Sequence, residues 1–85
     1  MKYKIELKPA VKKQLKRINK KDQDTILDKI YLLSDNPYPQ YSKSLKGRND
    51  RSMRAGTYRV LYDVYENKLV VLVLKVGDRK DVYKK

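Results

Sequence analysis

Three arginines stand close together in the stretch Arg51-Ser52-Met53-Arg54-Ala55-Gly56-Thr57-Tyr58-Arg59-Val60-Leu61-Tyr62, which folds about a single glycine. A second basic cluster, Gly77-Asp78-Arg79-Lys80-Asp81-Val82-Tyr83, precedes the terminal Lys84-Lys85. Guanidinium groups gathered on one surface repel one another unless an anion joins them, and arginine's rigid fork of donors matches a phosphate. Structural ion pairs with Asp63, Asp78 and Asp81 are the alternative use of the same charges. The chain has no histidine and no cysteine, so zinc sites built on those residues are excluded. Acid–base chemistry without histidine falls to Lys, Arg, Tyr or the carboxylates.

The elements that must position these residues belong to one small domain, residues 1–85. Twenty-two Lys plus Arg against ten Asp plus Glu give a formal charge of +12, a field that favours polyanionic partners, nucleic acid or an acidic protein. A lysine-rich surface that only keeps the chain soluble is the plainer reading. No apolar run is long enough to span a bilayer, and the N-terminus lacks the apolar core of a signal peptide. With cysteine absent as well, a cytoplasmic location and no membrane partner are expected.

Along the chain, Tyr3, Ile5 and Leu7 alternate with Lys4 and Glu6, the period of a half-buried strand. Pro9 suits a helix's first turn, and Val11, Leu15 and Ile18 recur at helical spacing among lysines. Asn19-Lys20-Lys21 reads as a polar break, with Asp22 the cap of a second helix carrying Ile26, Leu27, Ile30 and Leu33. Ser34-Asp35-Asn36-Pro37 stops that helix, and an irregular segment runs from Pro37 to Asn49, anchored at Leu45. Strands are then predicted over Arg51 to Ala55, Tyr58 to Tyr65 and Lys68 to Val76, with turns at Gly56-Thr57 and Glu66-Asn67. The run Leu69 to Leu74 is apolar on both faces, which predicts a strand buried on both sides and ended by Gly77. Asp81-Val82-Tyr83 reads as a short last strand or a turn. The expected fold is α+β, in the order β-α-α-β-β-β, with an N-terminal helical hairpin on one face of a small antiparallel sheet.

Alternation then distributes the side chains. Val60 and Val64 suit the helix-covered face together with Met53, which leaves Ser52, Arg54 and Arg59 on the open face and Arg51 beside Met53. Arg79 can lean over the open face from the end of its strand, and Tyr83 would close one edge.

The order of motifs resembles that of the RelE/ParE superfamily of toxins. Arg54 to Tyr62 looks like its R-x-G-x-Y-R-(V/I)-x-Y signature, and Val76 to Tyr83 like its (I/V)-G-x-R-(R/K)-D-V-Y signature. Ser44-Leu45-Lys46-Gly47 matches the K-L-x-G element ahead of the sheet, so the likeness covers essentially the whole chain. The intact Tyr-bearing C-terminal motif places it nearer the RelE branch than ParE. That resemblance implies a ribosome-dependent endoribonuclease, an mRNA interferase that halts translation by cutting message in the 30S A site, with no cofactor and no metal. It implies a cognate antitoxin, RelB-like, acidic and partly disordered when free, with operator DNA contacted only through the antitoxin complex. Carried over by position, Arg54 matches a basic residue assigned to proton abstraction, and Arg59 the arginine that stabilises the scissile phosphate. Arg79 matches an arginine of phosphate stabilisation or leaving-group protonation, and Tyr83 a tyrosine that packs on substrate. Lys46, Arg48, Arg51, Lys80 and Lys84 are the expected RNA-binding residues around them, and Tyr58 and Tyr62 further rings for stacking. Two positions depart from the pattern: Ser52 stands where Lys or Arg is common, and Asp78 where His or Lys is. A ParE-like inhibitor of DNA gyrase, or a catalytically weak RNA-binding member, are the alternative readings.

Overall fold

A computed structural model describes residues 2–44 and 50–78. Seven elements follow in order: β1 (Lys4–Leu7), α1 (Pro9–Lys16), α2 (Lys20–Leu32), β2 (Ser42–Ser44), β3 (Asp50–Ala55), β4 (Tyr58–Tyr65) and β5 (Val70–Asp78). The strands make one five-stranded sheet in the order β1-β5-β4-β3-β2.

The two helices pack on one face, α1 against β5 and α2 against β3. Val11, Leu15 and Ile18 from the first helical segment and Ile26, Ile30 and Leu33 from the second meet Met53, Val60, Tyr62, Val64, Val71, Val73 and Val76 of the sheet in one core. Burial of this kind is the main favourable term in folding so small a chain. Pro9 opens α1, and Lys13 and Lys16 sit in its last turn, where the helix dipole favours cations. Among the described residues no helix is long and apolar enough to cross a membrane.

The expected α+β layering holds, and several details differ. β1 runs parallel to β5, pairing Lys4 with Val70 and Leu7 with Val73, so the sheet is mixed where an antiparallel one was expected. Alternation fixes which face a strand buries and is silent on its direction. The short β2 is an addition, a Ser-Lys-Ser segment without apolar alternation that pairs with β3 through Lys43 and Ser52. The second helix is capped by Asn19, whose side chain accepts from the Asp22 N–H at 2.9 Å, while Asp22 takes the third helical position.

β5 starts at Val70 because Leu69, with φ of 53°, belongs to the preceding turn. It also continues through Gly77, which pairs with Arg59, to Asp78, which pairs with Tyr58. The expected double-sided burial of this strand is corrected: Val71, Val73 and Val76 are sealed, whereas Val70 and Leu72, facing away from the helices, are half-exposed. The start of the segment, from Pro37 to Ser42, is pinned by hydrogen bonds, and its expected anchor Leu45 lies outside the described residues. The Tyr62 hydroxyl donates to the Pro37 carbonyl at 2.8 Å, and the Ser42 hydroxyl to the Pro39 carbonyl at 2.9 Å.

Candidate nucleic-acid interface

The site is built on a two-residue hairpin. Ala55 pairs with Tyr58, leaving Gly56-Thr57 as the turn, and Gly56 adopts φ of +65° while Thr57 does not take a positive φ. Glycine at the first central position with positive φ is the requirement of a type II′ turn, whose twist matches the flanking strands. The next pair along the ladder is Arg54 with Arg59. Both lie on the face away from the helices, Arg54 exposed and Arg59 half-buried. The neighbour of Arg59 on the other side is Gly77, which has no side chain. The row therefore reads arginine, arginine, glycine.

The next row on this face runs Lys43, Ser52, Leu61, Lys75. The row after it turns acidic, with Asp50 opposite Asp63, then Leu72 and Glu6. Among the described residues, positive charge on this face is thus concentrated towards the hairpin end, and Lys4 at the far end lies 3.9 Å from Glu6. Ser52 is only 2% exposed, so the gap in the basic row is a filled, buried position flanked at a distance by two lysines.

Lys75 reaches this face through an irregularity. The β4–β5 register shifts between Leu61 and Tyr62, which pair with Lys75 and Val73, so Leu74 is the extra residue of a β-bulge. Strict alternation from Val71 and Val73 would send Lys75 into the core; the bulge turns it outward and puts Val76 inside. Sequence reasoning missed Lys75 for that reason, and missed Lys43 because β2 has no strand pattern of its own.

Of the residues singled out from the sequence, Arg54 and Arg59 are brought together and Arg51 is not among them. Arg51 lies on the opposite face, where its Nε donates to the Ser42 hydroxyl at 3.1 Å and its guanidinium sits 5.1 Å from the Tyr38 ring centroid. Tyr38 in turn donates to Glu66, which also accepts from the Tyr3 hydroxyl at 2.8 Å. That network ties β1, the segment after α2 and the β4–β5 turn together at the end remote from the hairpin. Tyr62 is fully buried and bonded to Pro37, and Tyr58 packs against the core, so neither offers a free ring face as broad as an exposed tyrosine would. Arg79, Tyr83, Lys46, Arg48, Lys80 and Lys84 lie outside the described residues.

Three phenols in the fold are held above the ordinary tyrosine value. Burial raises Tyr62, with Ser42 and Arg51 pulling partly the other way. The carboxylate of Asp63 raises Tyr65, whose hydroxyl lies 3.3 Å from it, and the hydrogen bond to Glu66 raises Tyr3. None of the three is placed to accept a proton beside Arg54 and Arg59.

Comparison with known proteins agrees with this architecture. The sequence model of the ParE toxin of the type II toxin–antitoxin system parDE matches residues 5–83. A RelE-like toxin protein of Escherichia coli is 30% identical over 88 residues, covering 98% of this chain and 92% of that protein. The archaeal RelE of the RelE–RelB complex from Pyrococcus horikoshii superposes with a TM-score of 0.85 at 27% identity, over 93% of this chain and 97% of that one. The isolated RelE toxin of E. coli shares the fold, with a TM-score of 0.79 at 21% identity over 95% of this chain and 90% of that one. The chain belongs to the RelE/ParE superfamily of toxins of type II toxin–antitoxin systems, on its RelE branch.

Proposed function

We propose that this toxin is an endoribonuclease that cuts mRNA on the ribosome, in the A site. The observation that carries the reading is the directly opposed pair Arg54 and Arg59 beside the side-chain-free Gly77, two guanidinium groups whose donor forks match a phosphate.

RNA brings its own nucleophile. The 2′-oxygen attacks the adjacent phosphorus in line, the bond from phosphorus to the 5′-oxygen breaks, and the departing oxygen takes up a proton. The products are a 2′,3′-cyclic phosphate and a free 5′-hydroxyl. Arg59 holds the non-bridging oxygens and balances the charge that grows on them, the kind of term that usually contributes most to such catalysis. A guanidinium group has donors and no acceptor, so Arg54 does not take the 2′-proton. Its role is to make that hydroxyl more acidic by its field, while the ribosome aligns the strand. Arg79 and Tyr83 complete the set by resemblance, as phosphate or leaving-group partner and as a ring that packs on substrate; Lys46, Arg48, Lys80 and Lys84 would hold flanking phosphates.

An antitoxin of the RelB kind, acidic and ordering on contact, would quench the same cationic surface. The archaeal relative's assembly with RelB supports that partner. A second reading is inhibition of DNA gyrase, favoured by the ParE description of the matching family model. Purified toxin added to programmed ribosomes and, separately, to the same RNA naked distinguishes the readings. Cuts in the ribosome-bound message with little cutting of naked RNA are expected. Equal cutting of both would contradict dependence on the ribosome, and no cutting of either would contradict the reading altogether.

A further inference from the structure

The edge of β5 beyond the end of β1 carries a hollow that the proposed reaction leaves unused. β1 stops at Leu7, opposite Val73, so among the described residues no strand covers β5 on that side from Leu74 onward. The C-terminal half of α1 comes against this edge instead, and the Gln14 Oε1 accepts from the Val76 N–H at 2.8 Å. An open cavity of about 290 Å³ lies there, lined by Gln14, Arg17, Ile18, Tyr58, Lys75 and Gly77.

We propose that this hollow receives a single nucleotide of the RNA, the one adjoining the phosphate held at Arg54 and Arg59; the inference rests on the endoribonuclease reading. Position is the first reason. Gly77 lines the hollow and is also the cross-strand partner of Arg59, so the hollow, on the helix side, and the arginine pair, on the open face, meet around the uncovered edge of β5 at a residue with no side chain. Size is the second, since the volume is at the lower limit for small-ligand pockets, enough for a base and too little for a folded segment.

Chemistry is the third reason. Tyr58 and Ile18 offer an aromatic edge and an aliphatic surface to a base. Gln14 has its carbonyl oxygen committed to Val76, which leaves its amide nitrogen to donate to a base carbonyl or ring nitrogen. Arg17 is exposed on the rim and Lys75 lines the hollow from the sheet, two cations for the attached phosphates. An acidic peptide would use the cations and leave the ring and the amide without a purpose.

The test is a titration of adenosine and uridine 5′-monophosphates into the isotope-labelled full chain carrying Arg59→Ala, followed by nuclear magnetic resonance. Saturable shifts of the Val76 and Gly77 backbone amides and of the Gln14 side-chain amide are expected. Adding Arg17→Ala with Lys75→Ala should weaken binding about tenfold, the equivalent of one charge-assisted contact. Adding Lys12→Ala with Lys13→Ala, which removes the same charge from exposed positions of α1, should not. Absent shifts at these three groups, equal weakening by both pairs, or shifts produced by an acidic peptide and not by nucleotides would each overturn the proposal. Cleavage of ribosome-bound message by the wild-type chain is measured alongside. Cleavage without nucleotide shifts overturns the hollow alone, whereas shifts without cleavage support the hollow and overturn the endoribonuclease reading.

Discussion

Arg54 and Arg59 stand directly opposite each other on the open face of the β3–β4 hairpin, one residue pair from the turn. Like charges so placed destabilise a sheet by some tenths of a kcal/mol, about 0.2–1. Arg54→Ala, at an exposed position, should therefore leave the fold as stable as before or slightly more so, while cleavage is lost. Guanidinium denaturation beside the ribosome assay checks both halves at once. A variant that lost activity by unfolding would show the opposite trend in stability.

The same pair sets the salt dependence of RNA binding. Each phosphate contact to a single strand contributes a slope of about 0.7 in log affinity against log salt. Arg54→Ala should lower the slope by about one contact, whereas Arg51→Ala should leave it nearly unchanged, because Arg51 is bound to Ser42 and Tyr38 on the other face. Fluorescence anisotropy with a short RNA at several salt concentrations measures this.

Gly56 is needed for its backbone and not for space. A Cβ built there meets nothing within 4 Å, yet φ is +65°. Gly56→Ala should cost about 1–2 kcal/mol through the left-handed conformation alone. Gly56→Asn should cost about as much, because asparagine's tolerance of positive φ is for the left-handed helical well and the first central position of a type II′ turn calls for glycine. Chemical denaturation of the two variants gives the comparison.

Alkaline pH should unfold the protein from a defined starting point. Burial raises the Tyr62 phenol above its ordinary value of 10.0, so the folded state favours the neutral form. That stabilisation is complete below pH 10.0 and is lost as pH rises through the higher folded value. Tyr3 and Tyr65, raised by Glu66 and Asp63, change in the same direction. Tyr62→Phe should blunt the alkaline loss while costing about 1–3 kcal/mol at neutral pH, because the Pro37 carbonyl loses its donor. Denaturation midpoints measured from neutral pH upward check the sign.

Much of this architecture was legible in the sequence because period-two and helical spacing report burial directly. Met53, Val60 and Val64 fell on the core face as their alternation required, and Arg54 and Arg59 on the other. Direction and pairing leave no such mark, so the parallel alignment of β1 and the existence of β2 were not readable. The Leu74 bulge was hidden for a sharper reason. Leu69 to Leu74 is apolar at every position, so a one-residue slip produces no visible fault in the pattern and the pattern gives Lys75 no face. Ser52 shows the reverse: alternation puts it on the open face, and its near-complete burial there depends on neighbours that alternation cannot supply.

The most direct measurement is primer extension on a translated mRNA after brief expression of the toxin, compared with the Arg59→Ala variant. Breaks phased to codons, each leaving a 5′-hydroxyl on the downstream fragment, are expected for the wild-type chain and absent for the variant. Intact message accompanied by DNA damage, or phased breaks that survive Arg59→Ala, would contradict an mRNA-cleaving site centred on Arg54 and Arg59.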